Sequence, residues 1–96
     1  MYYFVANIKI DDESEYQKYI DKVDMVFAKY NGNYLAVDNN PKIVEGDWNY
    51  SRSVIIEFEN ELDFNNWYNS KDYKDILKFR LNAGKCDTIL IKGKGS

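Results

Sequence analysis

Two carboxylates stand where a small protein could use them for proton transfer. Glu57 lies within the apolar run RSVIIEF (residues 52–58), and Asp47 lies in the stretch EGDWN. A carboxylate that is partly withdrawn from water has a raised pKa and can act as a general base. The structural alternative for Glu57 is an ion pair with Arg52 or Arg80, or a hydrogen bond at a subunit interface.

Large aromatic side chains cluster in the same third of the chain. Trp67 fits the apolar stripe of a helix, so packing explains it. Tyr68 is offset by one position from Trp67, and Trp48 lies in a loop after Gly46 and Asp47. We interpret Trp48, Tyr68 and Tyr73 as the rim of a pocket, with contacts between subunits as the alternative. The candidate ligand-binding residues are therefore Tyr3, Asn7, Trp48, Arg52, Tyr68, Tyr73 and Arg80.

The chain contains no histidine. This excludes Ser-His-Asp and Cys-His catalysis, histidine-ligated zinc and the usual proximal haem ligand. The single cysteine, Cys86, has no evident base or cationic helix end nearby, so we interpret it as a small buried hydrophobe. We therefore expect neither a metal site nor a cofactor.

The charge balance argues against polyanionic partners. The chain has 13 Lys and Arg residues and 16 Asp and Glu residues, for a net charge of −3. The strand RSVIIEF also lacks the basic, aromatic motif of an RNA-recognition module. No apolar run approaches the roughly 20 residues that span a bilayer. A single cysteine and the absence of a signal-like N-terminus favour a cytoplasmic protein.

The elements that must position these residues follow from the hydrophobic periodicity. Residues 2–10 alternate and predict a strand, whereas the apolar stripe after Asp12 predicts a helix that Gly32 terminates. Further strands are predicted at 33–37, with a short continuation in IVEG, and at 52–58 and 86–92. A second helix begins at Asn60, is broken at NSKD, and resumes until Gly84.

This order predicts an α+β, ferredoxin-like fold: a βαββαβ unit with a four-stranded antiparallel sheet and both helices on one face. The helices should cover Phe4, Ala6 and Ile8. The other face carries Tyr3, Val5, Asn7, Ile55 and Glu57, which are too apolar for water and too polar for a dry core. A second sheet packed on it would resolve this conflict. We expect residues 1–93 to form one domain and residues 94–96 to form a flexible tail.

The runs NGNYL, VEGDW, IIEF, WYNSKDY and FRLNAG follow one another in the order and spacing of a known family. Over residues 3–93 the chain resembles the family called domain of unknown function 1330. The resemblance implies a dimeric α+β barrel, in which two ferredoxin-like sheets pair face to face. Superfamily relatives include cofactor-independent monooxygenases, chlorite-dismutase-like haem proteins and muconolactone-isomerase-like enzymes. The family often has Asp where this chain has Asn7.

Two functional hypotheses remain open. The first is a small cytoplasmic homodimer that binds a small organic molecule in a pocket of the barrel. The second is a cofactor-independent oxygenase or isomerase. That enzyme would use Glu57 or Asp47 as general base, Arg52 or Arg80 as an anion clamp, and Tyr3 and Trp48 as walls.

Overall fold

The computed structural model describes residues 1–95 and contains one four-stranded antiparallel sheet in the order β2-β3-β1-β4. Three helices pack on one face of this sheet, so the predicted ferredoxin-like α+β fold is confirmed. The second predicted helix is divided into two. The elements in chain order are β1 (Tyr2–Ile10), α1 (Glu13–Phe27), β2 (Gly32–Asp38), β3 (Arg52–Phe58), α2 (Glu61–Tyr68), α3 (Lys71–Ala83) and β4 (Gly84–Lys92).

The register of the central strands decides which side chains face the helices. β1 pairs with β3 and β4, and Phe4 stands opposite Ile56 and Leu90. Because side chains alternate along a strand, Phe4, Ala6 and Ile8 lie on the helix side and are buried, as predicted. Tyr3, Asn7 and the other odd-numbered residues of β1 lie on the opposite side, which we call the outer face.

Side-chain caps begin each helix. The carboxylate of Asp12 accepts a hydrogen bond from the Glu15 amide at 3.1 Å, and Asn60 Oδ1 accepts one from Asp63 at 2.8 Å. Both helices therefore begin where the sequence predicted. Ser70 then caps α3 two residues after the end of α2, because its hydroxyl accepts from the Tyr73 amide at 3.2 Å. This cap explains the break that the sequence predicted at NSKD.

Two predicted boundaries are wrong. The first helix ends at Phe27 instead of continuing to Gly32, and Gly32 is the first residue of β2. A Cβ on Gly32 would lie 2.6 Å from ring atoms of Phe27 and Phe58, so the close packing of this strand against the core requires glycine. The run IVEG forms no strand. β2 ends at Asp38, whose Oδ1 accepts from the Asn40 amide at 2.8 Å and turns the chain away from the sheet.

Aromatic rings fill the space between the helices and the sheet. Trp67 is 1% exposed, and its ring centroid lies 4.3 Å from that of the buried Tyr73 and 5.7 Å from that of Phe58. The core position predicted for Trp67 is confirmed. Ring pairs at such distances add to the gain from burial alone. Within residues 1–95, no helix has the length and apolarity to cross a membrane.

The two ends of the chain meet beside the sheet. Gly93 donates its amide hydrogen to the Met1 carbonyl at 2.8 Å, one residue after β4 ends. Lys94 and Gly95 form a turn after this contact. Ser96, the last residue of the predicted tail, lies outside the described residues.

Gly84, at the junction of α3 and β4, provides a test of how closely this junction packs against β1. A Cβ there would lie 1.9 Å from the Lys9 carbonyl oxygen, which is backbone and cannot turn away. We expect Gly84→Ala to lower the free energy of unfolding by about 1–3 kcal/mol, as other overpacked sites do. Urea denaturation measures this. The exposed neighbour variant Asn82→Ala should stay within about 0.5 kcal/mol of the wild type. Equal stability of Gly84→Ala would contradict the close approach of β1.

Candidate functional site

A cavity of about 300 Å³ lies between α1 and the helix side of the sheet. Its floor comes from β1 and β3, and α1 covers it with Tyr16, Tyr19 and Val23. Trp67 of α2 and Arg80 of α3 complete its walls. The volume is at the lower end of the range for ligand pockets, and the walls are mainly apolar and aromatic. The cavity therefore suits a molecule with one or two rings.

Arg80 is the unusual member of this lining. It is 2% exposed, and its Nε and Nη1 atoms have no hydrogen-bond partner in the described chain. Within residues 1–95, no carboxylate oxygen lies within 4.0 Å of its guanidinium. Burying a charge without a partner costs folding free energy, so such a residue is uncommon in a purely structural role.

Tyrosines surround the Arg80 guanidinium. The carbon at its centre lies 5.8 Å from the ring centroid of Tyr19. Burial by itself would lower the pKa of Arg80, but Tyr73 and Tyr19, which are negatively charged only at high pH, outweigh burial there and hold this pKa above its ordinary value. The side chain therefore stays cationic, and the aromatic faces stabilise its charge only partly.

Arg52, the first residue of β3, brings a second guanidinium to the cavity. Its Nη1 donates to Asn39 Oδ1 at 2.7 Å, and the guanidinium lies 5.6 Å from the ring centroid of Tyr16. Its Nε is buried without a partner among residues 1–95. A second groove, of about 450 Å³, is also lined by Arg52, Tyr16 and Ile20. Arg52 thus stands between the cavity and this groove.

The hydroxyl groups near Arg80 are protonated donors. Tyr19 and Tyr73 share a hydrogen bond of 2.8 Å between their hydroxyl oxygens. Burial raises the pKa of Tyr19, Tyr73 and Tyr16 above the ordinary tyrosine value, so these groups remain neutral at physiological pH. The lining includes one carboxylate among the described residues, that of the exposed Asp24 on α1.

The structure brings only two of the predicted site residues together here, Arg52 and Arg80. Glu57 lies on the outer face opposite Tyr3, so the sheet separates it from both arginines. The predicted ion pair of Glu57 with Arg52 or Arg80 is therefore wrong. The alternation of side chains along a strand already predicted this separation of Glu57 from Arg52, because residues 52 and 57 must point to opposite faces.

The remaining predicted residues fall in three other places. Asn7 lies on the outer face, where its Oδ1 accepts from the Ser53 hydroxyl at 2.8 Å. Trp48 packs on Tyr50 at a centroid distance of 5.1 Å in the loop after β2, and Asp47 beside it is exposed.

The predicted rim position is wrong for Tyr73, which is fully buried. Tyr68 is half-buried against the core, stacks on Phe64 at 5.3 Å and does not line the cavity. A role for Tyr68 in binding stays a prediction.

Sequence reasoning missed the contribution of α1. Tyr16 and Tyr19 belong to the apolar stripe of α1 and are buried, and they also cover the cavity. The available signal was chemical, because a stripe made only for packing has no need of two hydroxyl groups. Within residues 1–95, no group of three or more His, Cys, Asp or Glu residues could hold a metal ion.

The sheet order and the helix-covered cavity define a ferredoxin-like α+β protein. The chain belongs to the family described as domain of unknown function (DUF1330), whose model matches residues 1–94. No curated protein matches the chain in sequence.

Three solved structures share the fold. The RPA0582 protein of unknown function from Rhodopseudomonas palustris has a TM-score of 0.80 and 15% identity, covering 99% of this chain and 83% of its own. A dimeric ferredoxin-like protein of unknown function from Jannaschia sp. CCS1 has a TM-score of 0.78 and 7% identity, with coverages of 96% and 98%. SnoaB, a cofactor-independent oxygenase from Streptomyces nogalater, has a TM-score of 0.69 and 12% identity, with coverages of 99% and 94%. At these identities the likeness establishes the fold alone.

Arg80→Met tests whether the buried charge serves the fold. Methionine fills a similar space without a charge, so we expect the free energy of unfolding to stay equal or rise by about 1–4 kcal/mol. Urea denaturation measures the difference. Arg52→Met is the matched control. Its free energy of unfolding should fall by about 1 kcal/mol, because the variant lacks the hydrogen bond to Asn39. A clear loss of stability in Arg80→Met would show that Arg80 is a structural residue.

Proposed function

We propose that the protein is a homodimer in which each subunit binds a small organic molecule between α1 and the sheet. The observation that carries the proposal is the cavity of about 300 Å³ with a buried, unpaired guanidinium in its wall. Apolar walls provide affinity, and one charged group fixes the orientation of a ligand. The cavity lies on the helix side of the sheet and not between two paired sheets. A cytoplasmic location stays a prediction.

The outer face supports the homodimer. Ile89 and Ile91 of β4 are exposed there, next to the partly buried Val5 and Tyr3 of β1. Adjacent apolar side chains exposed on a sheet face favour an interaction site. The similar structure from Jannaschia sp. CCS1 is described as a dimeric ferredoxin-like protein, which favours a second copy of this chain as the occupant. Glu57 would then lie at the interface.

A cofactor-independent oxygenase or isomerase is the second candidate. A guanidinium in a cavity with little water can stabilise an oxyanion that develops during a reaction, which favours this class. SnoaB shares the fold and is such an oxygenase. A general base at Glu57 or Asp47 would require the substrate to bind on the outer face or at the loop, away from this guanidinium. Recovery of a bound ligand in chemically altered form after incubation in air would favour the enzyme.

Val37→Trp tests the location of the ligand. Val37 lies on the edge strand β2 and lines the cavity, so a large side chain there should obstruct it without changing the core. The probes are 2-naphthoate and its neutral analogue 2-naphthamide, titrated by calorimetry. We expect the wild type to bind at least one probe and Val37→Trp to bind neither.

The matched control is Leu35→Trp, which adds the same bulk on the same strand outside the cavity lining. This variant should bind like the wild type. The failure of the wild type to bind either probe, or equal binding by both variants, would contradict the proposed cavity.

Ile89→Lys tests the dimer. Ile89 is 58% exposed in the single chain, and a lysine charge there would be buried if two outer faces paired. Native mass spectrometry should show a wild-type dimer and an Ile89→Lys monomer. The control Leu81→Lys alters a residue that is 55% exposed on α3 and should remain dimeric. A monomeric wild type would exclude the paired sheets.

A further inference from the structure

We infer that the ligand is an organic anion that is already ionised when it enters the cavity, with its charged oxygens at Arg80 and Arg52. This inference rests on the proposed function, because it specifies the chemistry of the molecule that the cavity holds. The suitable classes share a flat, apolar body and one acidic oxygen group: aromatic carboxylic acids and acidic phenols or enols. The experiments below distinguish carboxylic acids from acidic phenols or enols as the source of the anion.

The first argument is the charge of the cavity. Two guanidinium groups line it, and in the described chain neither forms an ion pair within 4.0 Å. The carboxylate of Asp24 also lines the cavity but is exposed, so water screens it. Arg80 is almost completely buried, and its field is screened much less. A ligand anion therefore gains more from Arg80 than it loses to Asp24.

The second argument is the shortage of proton acceptors. The titratable and charged groups around Arg80 come from five elements, and they are Tyr16, Tyr19, Arg52, Tyr68, Tyr73 and Cys86. Burial raises the pKa of the Cys86 thiol, as it does for the three tyrosines described above, so these groups remain protonated. Tyr34 of β2 lines the cavity too, and burial raises its pKa as well. These groups can donate hydrogen bonds but cannot remove a proton.

Among the described lining residues, the exposed Asp24 is the one carboxylate that could accept a proton, whereas the buried groups around Arg80 cannot. We therefore expect ionisation to precede binding at Arg80. A carboxylic acid, phenol or enol gives its proton to water, and the cavity then selects the anion from solution. A neutral amide of the same shape leaves both arginines without a charged partner and adds its own N–H donors to a wall that already consists of donors. The cavity should discriminate against it strongly.

The first experiment compares 2-naphthoate with 2-naphthamide on the wild-type protein by calorimetry. We expect the carboxylate to bind at least about tenfold more tightly, as charge-assisted hydrogen bonds favour it. Equal binding, or tighter binding of the amide, would overturn the inference and leave the proposed function intact. Binding of neither probe would instead contradict the proposed function itself.

The second experiment uses 4-nitrophenol, whose neutral and ionised forms absorb at different wavelengths. A tenfold preference for the anion lowers the pKa of the bound phenol by about one unit relative to the free phenol. We expect at least this shift on the wild-type protein. An unchanged or raised pKa of a bound nitrophenol would overturn the inference for phenols. If naphthoate alone is preferred, the class narrows to carboxylates.

Three variants assign the effect to its residues. Arg80→Met should abolish the preference for naphthoate over naphthamide, and Arg52→Met should reduce it. Asp24→Asn should keep or increase the preference and leave the nitrophenol shift unchanged or larger, because it removes the opposing charge. A preference that persists in the folded Arg80→Met protein would overturn the assignment to Arg80.

Discussion

The main constraint on this structure is a buried guanidinium surrounded by aromatic rings, because the rest of the core must hold its charge in place. Arg80 is almost completely buried, and no carboxylate of residues 1–95 pairs with it. Its charge is balanced only by the ring of Tyr19 and by hydroxyl dipoles, which compensate a buried charge incompletely. Most of the helix side of the sheet can be explained by packing, but this residue cannot. The rest of the core must therefore be stable enough to hold an unfavourable charge in place.

The sheet separates two surfaces with different chemistry. Its helix side carries the apolar residues of β1 and β3, the cavity and the two arginines. Its outer face carries both polar and apolar side chains, among them Tyr3, Asn7 and Glu57 and the exposed isoleucines of β4. The pleat imposes this separation, because neighbouring residues of a strand point in opposite directions. Side chains on the outer face and the two arginines on the helix side therefore cannot contact one small molecule within one subunit.

The aromatic residues that are so frequent between positions 48 and 73 serve distinct purposes. Trp67 and Tyr73 form the centre of the core, and Phe27 and Phe58 pack around Trp67. Tyr73 also bonds to Tyr19, so the core and the cavity wall share one hydroxyl pair. Trp48 belongs to the loop beside the outer face, where Tyr50 donates a hydrogen bond to Asp87 of β4. Rings near one another in the sequence thus lie on different sides of the protein.

The sequence by itself determined the element order, the sheet and the two faces of β1, because periods of 2 and 3.6 residues and the caps at Asp12 and Asn60 are local signals. It also offered Arg52 or Arg80 as a candidate anion-binding residue, and that role stays a prediction. Only the tertiary structure decided that both arginines lie on the helix side, that Tyr16 and Tyr19 cover the cavity, and that Tyr73 is fully buried. These outcomes depend on how α1 and α3 pack across the sheet, and contacts between residues far apart in the chain leave no periodic signature in the sequence.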